Sequence, residues 1–472
     1  MKILILNPPY HSAIIREGRC QSPQDMRTNC IPQMTIAYIA GILEKDHNLK
    51  VIDCIASGMS ADQVFEISEK FHPELVLMNT TTTSINSDIG FVKSFKERFP
   101  SIFFAIFGTH VTALHEDIMK QFKFIDCIIR NEPEWVVLDL VKFLQNRNLP
   151  VLGATIRIND NVIAYFDREF NGDLDSLGYP AWHYFDLNKY IHPVLNKSYL
   201  MVNTSRGCSH RCIFCVASIF YGRQVRYRSV ESILDEIQNY LIPQLGVRHI
   251  WMYADDFTNS PEFVKKLCQG IIDRKLKIIW WSNTRVDKND LEMFKLMKKS
   301  GCYMLSIGGE SANVEILRNI KKGINPELIQ KTVNILKKTG IRSLVYFLIG
   351  LPGESKETIR ETLNLAKKIN SDYVEFYPAT PYPGTEFFNI AMKQKLIVSD
   401  NWDNYLCGGK EFVIKVPGIE KDELDEILRK SYQEYYFRFR YFLILLRRIR
   451  HPFEFYRLLS FGFDYFKRFS VS

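Results

Sequence analysis

Cys208, Cys212 and Cys215 fall within one ten-residue run, Arg206-Gly207-Cys208-Ser209-His210-Arg211-Cys212-Ile213-Phe214-Cys215, with the spacing CxxxCxxC. Thiolates are soft ligands for iron-sulfur clusters or zinc, and three on one short loop can take three corners of a single iron-sulfur cube. A cube has four irons and no fourth cysteine lies nearby, so one iron is left open to a ligand that is not protein. Two plainer readings compete: buried structural thiols, and a zinc site completed by His210. Structural zinc usually takes two separated pairs of ligands, and no second pair stands here.

A ligand loop needs a rigid strand to launch it. The apolar run 199–204 supplies one, and from there short apolar strands alternate with amphipathic helical stretches in units of about 30 residues, as parallel crossovers require. A helix on the stripe Val230, Ile233, Ile237 and Leu241 follows Ser229. Further strands are expected at 249–253, ending at Asp255 and Asp256; at 277–282, ending at Asn283 and Arg285; and at 303–307, ending at Gly308, Gly309 and Glu310. The last two, 343–349 and 373–377, run into Gly350-Leu351-Pro352-Gly353-Glu354 and Pro381-Tyr382-Pro383-Gly384. Ser260-Pro261 and Asn325-Pro326 mark helix starts. Six such units predict a parallel α/β sheet curled into a partial (β/α)6 barrel, with polar and glycine-rich residues after the carboxyl ends of the strands, where such folds place their chemistry. Asp255 and Asp256 either face a substrate or cap the next helix.

The first 150 residues repeat the alternation separately. Strands are expected at 2–6, 50–54, 75–79, 102–107 and 127–129, with a helix at 35–43, which argues a doubly wound, Rossmann-like parallel sheet. Small and hydroxylated residues gather at its strand ends, the usual crevice for a nucleotide-like ligand.

The cysteine run, with aromatic Phe214 before its last thiol, resembles the signature of the radical S-adenosylmethionine (radical SAM) enzymes. The resemblance implies a 4Fe-4S cluster on Cys208, Cys212 and Cys215 whose open iron is chelated by SAM. It makes Gly308, Gly309 and Glu310 the motif for the SAM amino group, lays Phe214 against the adenine, and offers Asn283 and Arg285 for the ribose or carboxylate. The first 150 residues are similar to the cobalamin-binding domain that precedes many such barrels, with Asn7, Thr81, Thr82, Thr83, Ser84, Gly108, His110 and Glu132 matching the loops around the corrin and its nucleotide tail. This chain has Phe107-Gly108 and Asn131-Glu132 where the family commonly has Gly-Gly and Gly-Glu, and it lacks the Asp-x-His-x-x-Gly run that supplies a histidine to cobalt elsewhere. The run from Asp173 to Trp182 resembles the linker of the same class. The expected organisation is thus a cobalamin-type domain over 1–150, a linker over 151–195, a radical SAM barrel over 196–390 and a helical segment over 391–472.

Length, 46% hydrophobic content and 24% charge describe a large globular enzyme. Net charge of +8 on 472 residues permits anionic ligands without demanding nucleic acid, and none is expected. Ten scattered cysteines are no disulfide framework, and a cytoplasmic location is expected. The aromatic, arginine-rich tail after 435 is expected to pack on the barrel, with contact to a membrane surface as the alternative. The family implies reductive cleavage of SAM to a 5'-deoxyadenosyl radical, with electrons from a donor such as flavodoxin or ferredoxin. Methylation of an unactivated carbon of a small-molecule or lipid substrate leads, ahead of a cyclisation or oxidation like that of anaerobic porphyrin-ester cyclases. A transfer-RNA methylthiotransferase needs a second cluster that Cys20, Cys30, Cys54 and Cys127 do not provide by placement. A cluster-bearing sensor leaves the open iron and Gly308 to Glu310 without a purpose. No catalytic side chain is assigned by sequence.

Overall fold

The structure, a computed structural model, describes residues 1–12, 14–17, 30–146, 149–407 and 411–448. β1 (Lys2–Asn7), β2 (Asn48–Asp53), β3 (Leu75–Asn79), β4 (Phe103–Phe107) and β5 (Cys127–Ile129) pair in parallel in the order β2-β1-β3-β4-β5. Ile3, Ile5 and Leu77 pack on the helix Met34–Leu43 on one face, and Leu4, Leu6, Val76 and Met78 pack on the helix Ile85–Arg98 on the other. The sheet is therefore doubly wound, and its strand order reverses between β1 and β3, where such folds open a ligand crevice.

The segment 151–195, expected as linker, is in part sheet. β6 (Ala154–Ile158) and β7 (Asn161–Ala164) extend the first sheet antiparallel beyond β5. Asn159 and Asp160 turn this hairpin with φ of 47° and 67°, the left-handed pair that a two-residue turn needs to follow strand twist. After it the chain wraps the first domain: Ala181 N–H donates to Ala37 O at 2.9 Å, Trp182 is fully buried, and Tyr190 OH donates to Asp53 Oδ2 at 2.8 Å.

The second sheet holds six parallel strands in sequence order: β8 (Tyr199–Asn203), β11 (His249–Tyr253), β12 (Ile279–Thr284), β13 (Cys302–Glu310), β14 (Arg342–Ile349) and β15 (Tyr373–Pro378). Between its first two members, β9 (Ser205–Arg206) and β10 (Arg226–Tyr227) make a short antiparallel pair at the root of the cysteine loop. Two sequence expectations shift. β12 lies two residues later than 277–282, and Gly308, Gly309 and Glu310 belong to β13 instead of following it. The register with β14 slips between Gly308 and Glu310, and Glu310 has φ 60°, so the motif is a bulge in a strand rather than a turn. The helix after Ser229 is α-helical over Val230–Asp235 and widens to a π-helix over Glu236–Leu241.

Strand register sorts the faces of the barrel. Asn203 pairs with Tyr253, Asn283 with Ser306, Ser306 with Leu344, Gly308 with Tyr346, and Tyr346 with Glu375. These residues share the concave face, whereas Val345, Phe347, Val374 and Phe376 join the core under the helices. His192 plugs the floor, its ring 4.5 Å from that of Trp281 and 5.9 Å from that of Tyr199.

The carboxyl-terminal segment, expected to be helical, is helical in part. The helix Glu386–Lys393 gives way to a strap whose only helical turn among the described residues before 421 is the 3-10 turn Trp402–Asn404. Tyr382 OH donates to Tyr405 O, Asn86 Nδ2 donates to Asn401 Oδ1, and Trp402 meets the edge of His110 at 4.9 Å, so the strap ties the barrel mouth to the first domain. The helix Lys421–Tyr436 then covers β15, an edge strand with unpaired backbone. Tyr432 OH accepts from Phe376 N and donates to Phe376 O, and Tyr436 OH does the same at Val374. Hydroxyls four residues apart on one helix face thus meet backbone groups two apart on the strand. The tail beyond 448 lies outside the described residues.

Candidate active site

β8 launches the cysteine loop into the mouth of the barrel, and Gly207 begins it with φ 89°, where a Cβ would stand 2.2 Å from Gln224 O. Cys208, Cys212 and Cys215 are half-buried and in no disulfide. Cys54, Cys127, Cys268 and Cys302 are core residues whose burial pushes their thiols up, away from the thiolate a metal needs. The loop thiols are therefore the fitting donor set for a cluster. Among the described residues no three of His, Cys, Asp or Glu are arranged to hold a single metal ion. His210, the candidate fourth zinc ligand, has its Nε2 3.4 Å from Asp256 Oδ2.

The aspartates at the end of β11 face this loop. Asp255 Oδ2 accepts from Gly207 N–H at 3.2 Å, while the next helix is capped by Ser260. Across the mouth, Arg285 Nη2 donates to Lys322 O at 2.6 Å, Nε to Asp287 Oδ1 at 3.3 Å, and Nη1 to Cys212 Sγ at 3.9 Å. Arg285, expected at the SAM ribose or carboxylate, thus reaches the thiol of Cys212. Lys322 Nζ sits 2.5 Å from Glu310 Oε1, both nearly buried. A Cβ on Gly308 would lie 2.4 Å from that Oε1 and 2.6 Å from that Nζ, so the missing side chain leaves the space that the pair uses. Gly309 points the other way, where a Cβ would press Val345 and Phe347 at 3.0 and 3.1 Å; its bareness serves strand packing. A carboxylate and two cations around one bare backbone suit an amino-acid zwitterion such as the methionyl end of SAM. Asn283 and Phe214 are half-buried, Asn283 on the concave face and Phe214 against the core. Lys322 carried no sequence signal.

The residues matched to cobalamin loops divide. The hydroxyls of Thr81 and Thr83 and Nδ1 of His110 are buried without hydrogen-bond partners, and burial pulls His110 down to about 3, leaving it neutral. Such orphaned polar atoms on adjacent strand ends fit a ligand rich in amide groups. Of these, Thr81 lines a cleft together with Arg16, Asn79, Thr80, Thr109 and Phe220, the last five residues past Cys215. Gly108, with φ 137°, is pressed there because a Cβ would meet Thr80 O at 2.0 Å. Thr82 starts the 3-10 turn Thr82–Ser84. Asn7 and Ser84 are committed otherwise: Arg16 Nη1 donates to Asn7 Oδ1, Arg16 Nε to Ser84 Oγ, and Arg16 Nη2 pairs with Asp88 at 2.8 Å. Glu132 lies elsewhere, its carboxylate taken by Arg226 at 2.6 and 3.0 Å. Beside it Glu134 binds Arg206 at 2.6 and 3.2 Å, joining the first domain to the root of the cysteine loop. Repeated acids in Glu132-Pro133-Glu134, which meet Arg206 and Arg226, are the sequence signal for this latch.

Glu354 secures the loop after β14. Its Oε2 accepts from Gly350 N–H at 2.6 Å and Leu351 N–H at 3.0 Å, yet burial outweighs both and pushes the carboxyl up to about 8. The folded chain then keeps a proton that the unfolded chain loses near the ordinary 4.5. Glu354 stabilises fully below that lower value, and its contribution falls as pH rises through about 8. In the metal-free chain Glu354→Gln is expected to flatten part of the decline of stability between about pH 4.5 and about pH 8, read by urea unfolding.

The Radical SAM superfamily profile matches residues 202–366, from β8 into the helix after β14. The uncharacterized methyltransferase PH0819 of Pyrococcus horikoshii is 31% identical over 440 residues, 93% of either chain. The anaerobic magnesium-protoporphyrin IX monomethyl ester cyclase of Rubrivivax gelatinosus is 28% identical over 92% of this chain and 77% of its own. In fold, the cobalamin-dependent SAM radical enzyme OxsB, solved with aqua-cobalamin, superposes with a TM-score of 0.75 at 16% identity over 98% of this chain and 72% of that one. The radical SAM methyltransferase TsrM of Kitasatospora setae, solved with cobalamin and a [4Fe-4S] cluster, gives 0.67 at 15% identity over 83% and 78%. Near full-length likeness to PH0819, with the profile lying on the strands that carry the cysteine loop and Glu310, places this chain in the radical SAM superfamily of enzymes.

Proposed function

We propose that this enzyme is a cobalamin-dependent radical SAM methyltransferase acting on an unactivated carbon. One observation carries the reading: the three-thiol loop and the Glu310, Lys322 and Arg285 cradle share the barrel mouth, and the cleft at Thr81 and Thr109 opens beside the same loop through Phe220. Cys208, Cys212 and Cys215 would hold the cluster; Glu310 and the backbone at Gly308 would take the amino end of SAM, and Arg285 and Lys322 its carboxylate. Thr81, Thr83 and His110 would meet cobalamin. When bound, the cluster supplies an electron that cleaves SAM to methionine and a 5'-deoxyadenosyl radical, and cobalamin supplies a carrier for the methyl group. The chain's own part is orientation and exclusion of water: the strap from Trp402 to Tyr405 covers the mouth while the His192 plug shuts the floor.

The substrate is proposed to be a small molecule or lipid bound on the concave face, where Tyr346 and Tyr377 stack 5.6 Å apart beside Glu375. A low-potential donor such as flavodoxin or ferredoxin would supply the electrons, in the cytoplasm, without nucleic acid. Among the described residues no helix is long and apolar enough to cross a membrane. A cyclase is the second reading, favoured by the likeness to the Rubrivivax enzyme over most of both chains. Anaerobic reconstitution with iron and sulfide, followed by SAM, reductant and hydroxocobalamin, separates the two by mass spectrometry. Methylation predicts 5'-deoxyadenosine together with S-adenosylhomocysteine. Deoxyadenosine alone assigns the cyclase reading, and absence of both products defeats each.

A further inference from the structure

The last described helix, Phe439–Arg448, is packed on one flank and bare on another. Tyr441 is buried, its ring 4.8 Å from that of Tyr436, and its hydroxyl donates to Asp372 O at 3.2 Å. Phe437, Phe439 and Phe442 are 62%, 75% and 51% exposed, and Leu443 is 39% exposed. Phe439, Phe442 and Leu443 follow the spacing i, i+3, i+4, so they form one apolar face, and exposed Arg440 stands among them. Elsewhere among the described residues only Phe166 is a phenylalanine of comparable exposure. Single exposed apolar groups are ordinary, but a contiguous cluster marks a contact surface.

Charge chooses the occupant. Residues 437–472 contain eight Lys and Arg against two Asp and Glu, so most of the chain's net charge of +8 belongs to this stretch. A second copy would bring the same positive charge against itself. An anionic bilayer complements it, with phenyl rings at the headgroup boundary and guanidinium groups among the phosphates. We propose that Phe437, Phe439, Phe442 and Leu443 dock this enzyme on the surface of a membrane rich in anionic phospholipid. The helix lies on that surface rather than spanning it. Asp372, which anchors Tyr441, precedes β15 and so marks the amino end of the barrel strands, opposite the cysteine loop. The contact is a tether that leaves the mouth facing away from the bilayer, independent of which reaction the site performs.

Co-sedimentation of the full chain with vesicles tests this. Vesicles of phosphatidylcholine mixed with phosphatidylglycerol are expected to pellet the protein at low salt and release it at high salt, while phosphatidylcholine alone leaves it in solution. The double variant F439S/F442S is expected to lower binding at least tenfold, and R440E, which alters no packed side chain, severalfold. Equal binding to neutral vesicles, no binding to anionic ones, or unchanged binding by both variants overturns the tether. So does a lipid-free dimer that F439S/F442S splits into monomers, which would assign the face to a second copy.

Discussion

Cys212→Ala is expected to yield a folded chain that assembles no 4Fe-4S cluster and forms no detectable 5'-deoxyadenosine. The thiol is half-buried on a loop rather than in a core, so its loss leaves little cavity and folding should be nearly unchanged. A cube held by three protein ligands cannot lose one and keep both its stability and its single open iron. Cys208→Ala and Cys215→Ala should behave alike, because each supplies one corner. Cys302→Ala is the matched control: its thiol is fully buried and protonated in the core, so about 1 to 2 kcal/mol of stability should go while product formation persists. Iron content, the spectrum of the reconstituted protein and deoxyadenosine yield read all four variants. Wild-type iron and product in Cys212→Ala would falsify the cluster assignment and return the thiols to a structural role.

The strand Leu75–Asn79 is legible to the residue because it is buried on both faces, which leaves little room for any but an apolar composition; His249–Tyr253 is equally legible although His249 and Trp251 are only half-buried. Helix starts at Ser260 and Asn325 were equally plain, since each side chain caps the first turn and proline follows. The end of β13 was not legible, because glycine pairs usually signal turns, and only the register with β14 shows that the strand carries on through a bulge. The hairpin β6–β7 falls in the segment expected as linker, and its turn pair Asn159-Asp160 is the local signal for it. In the site, cysteine spacing is a local property and survives reading in one dimension. The groups around those cysteines are not local: Arg285 meets Cys212 across 73 residues, and nearby Lys322 meets Glu310 across 12. Pairings of that kind depend on strand order, which spacing does not encode. Glu132 shows the converse error, since a loop correctly placed at a strand end spends its carboxylate on the neighbouring domain.

That neighbour contact leads to the second large effect. Arg206 is fully buried at the residue before Gly207 and the cysteine loop, and Glu134 starts a helix of the first domain. Burial pulls the guanidinium pKa down, but the carboxylates of Glu134 and Glu132 outweigh it and hold the group charged. Tyr38, Trp135 and Tyr221 surround the cation at 5.2 to 5.9 Å, so no water can replace a lost carboxylate. Glu134→Gln should therefore cost about 1.5 to 3 kcal/mol, the usual loss of a hydrogen bond to a charged group, because Arg206 keeps only Glu132 at 3.6 Å, a carboxylate it shares with Arg226. Glu134→Gln with Arg206→Met removes both charges and should recover much of that stability, since paired burial itself contributes little net energy. Cluster formation should not recover with it. Arg206 fixes β9 against the first domain, and β9 with β10 sets the root from which Cys208 departs. Urea unfolding of the metal-free chain and iron content after reconstitution separate the two consequences. A double variant that regains stability but binds less iron than wild type makes the first domain a positioning element for the cluster loop. Full iron loading in that variant would reduce the latch to a fastening between domains.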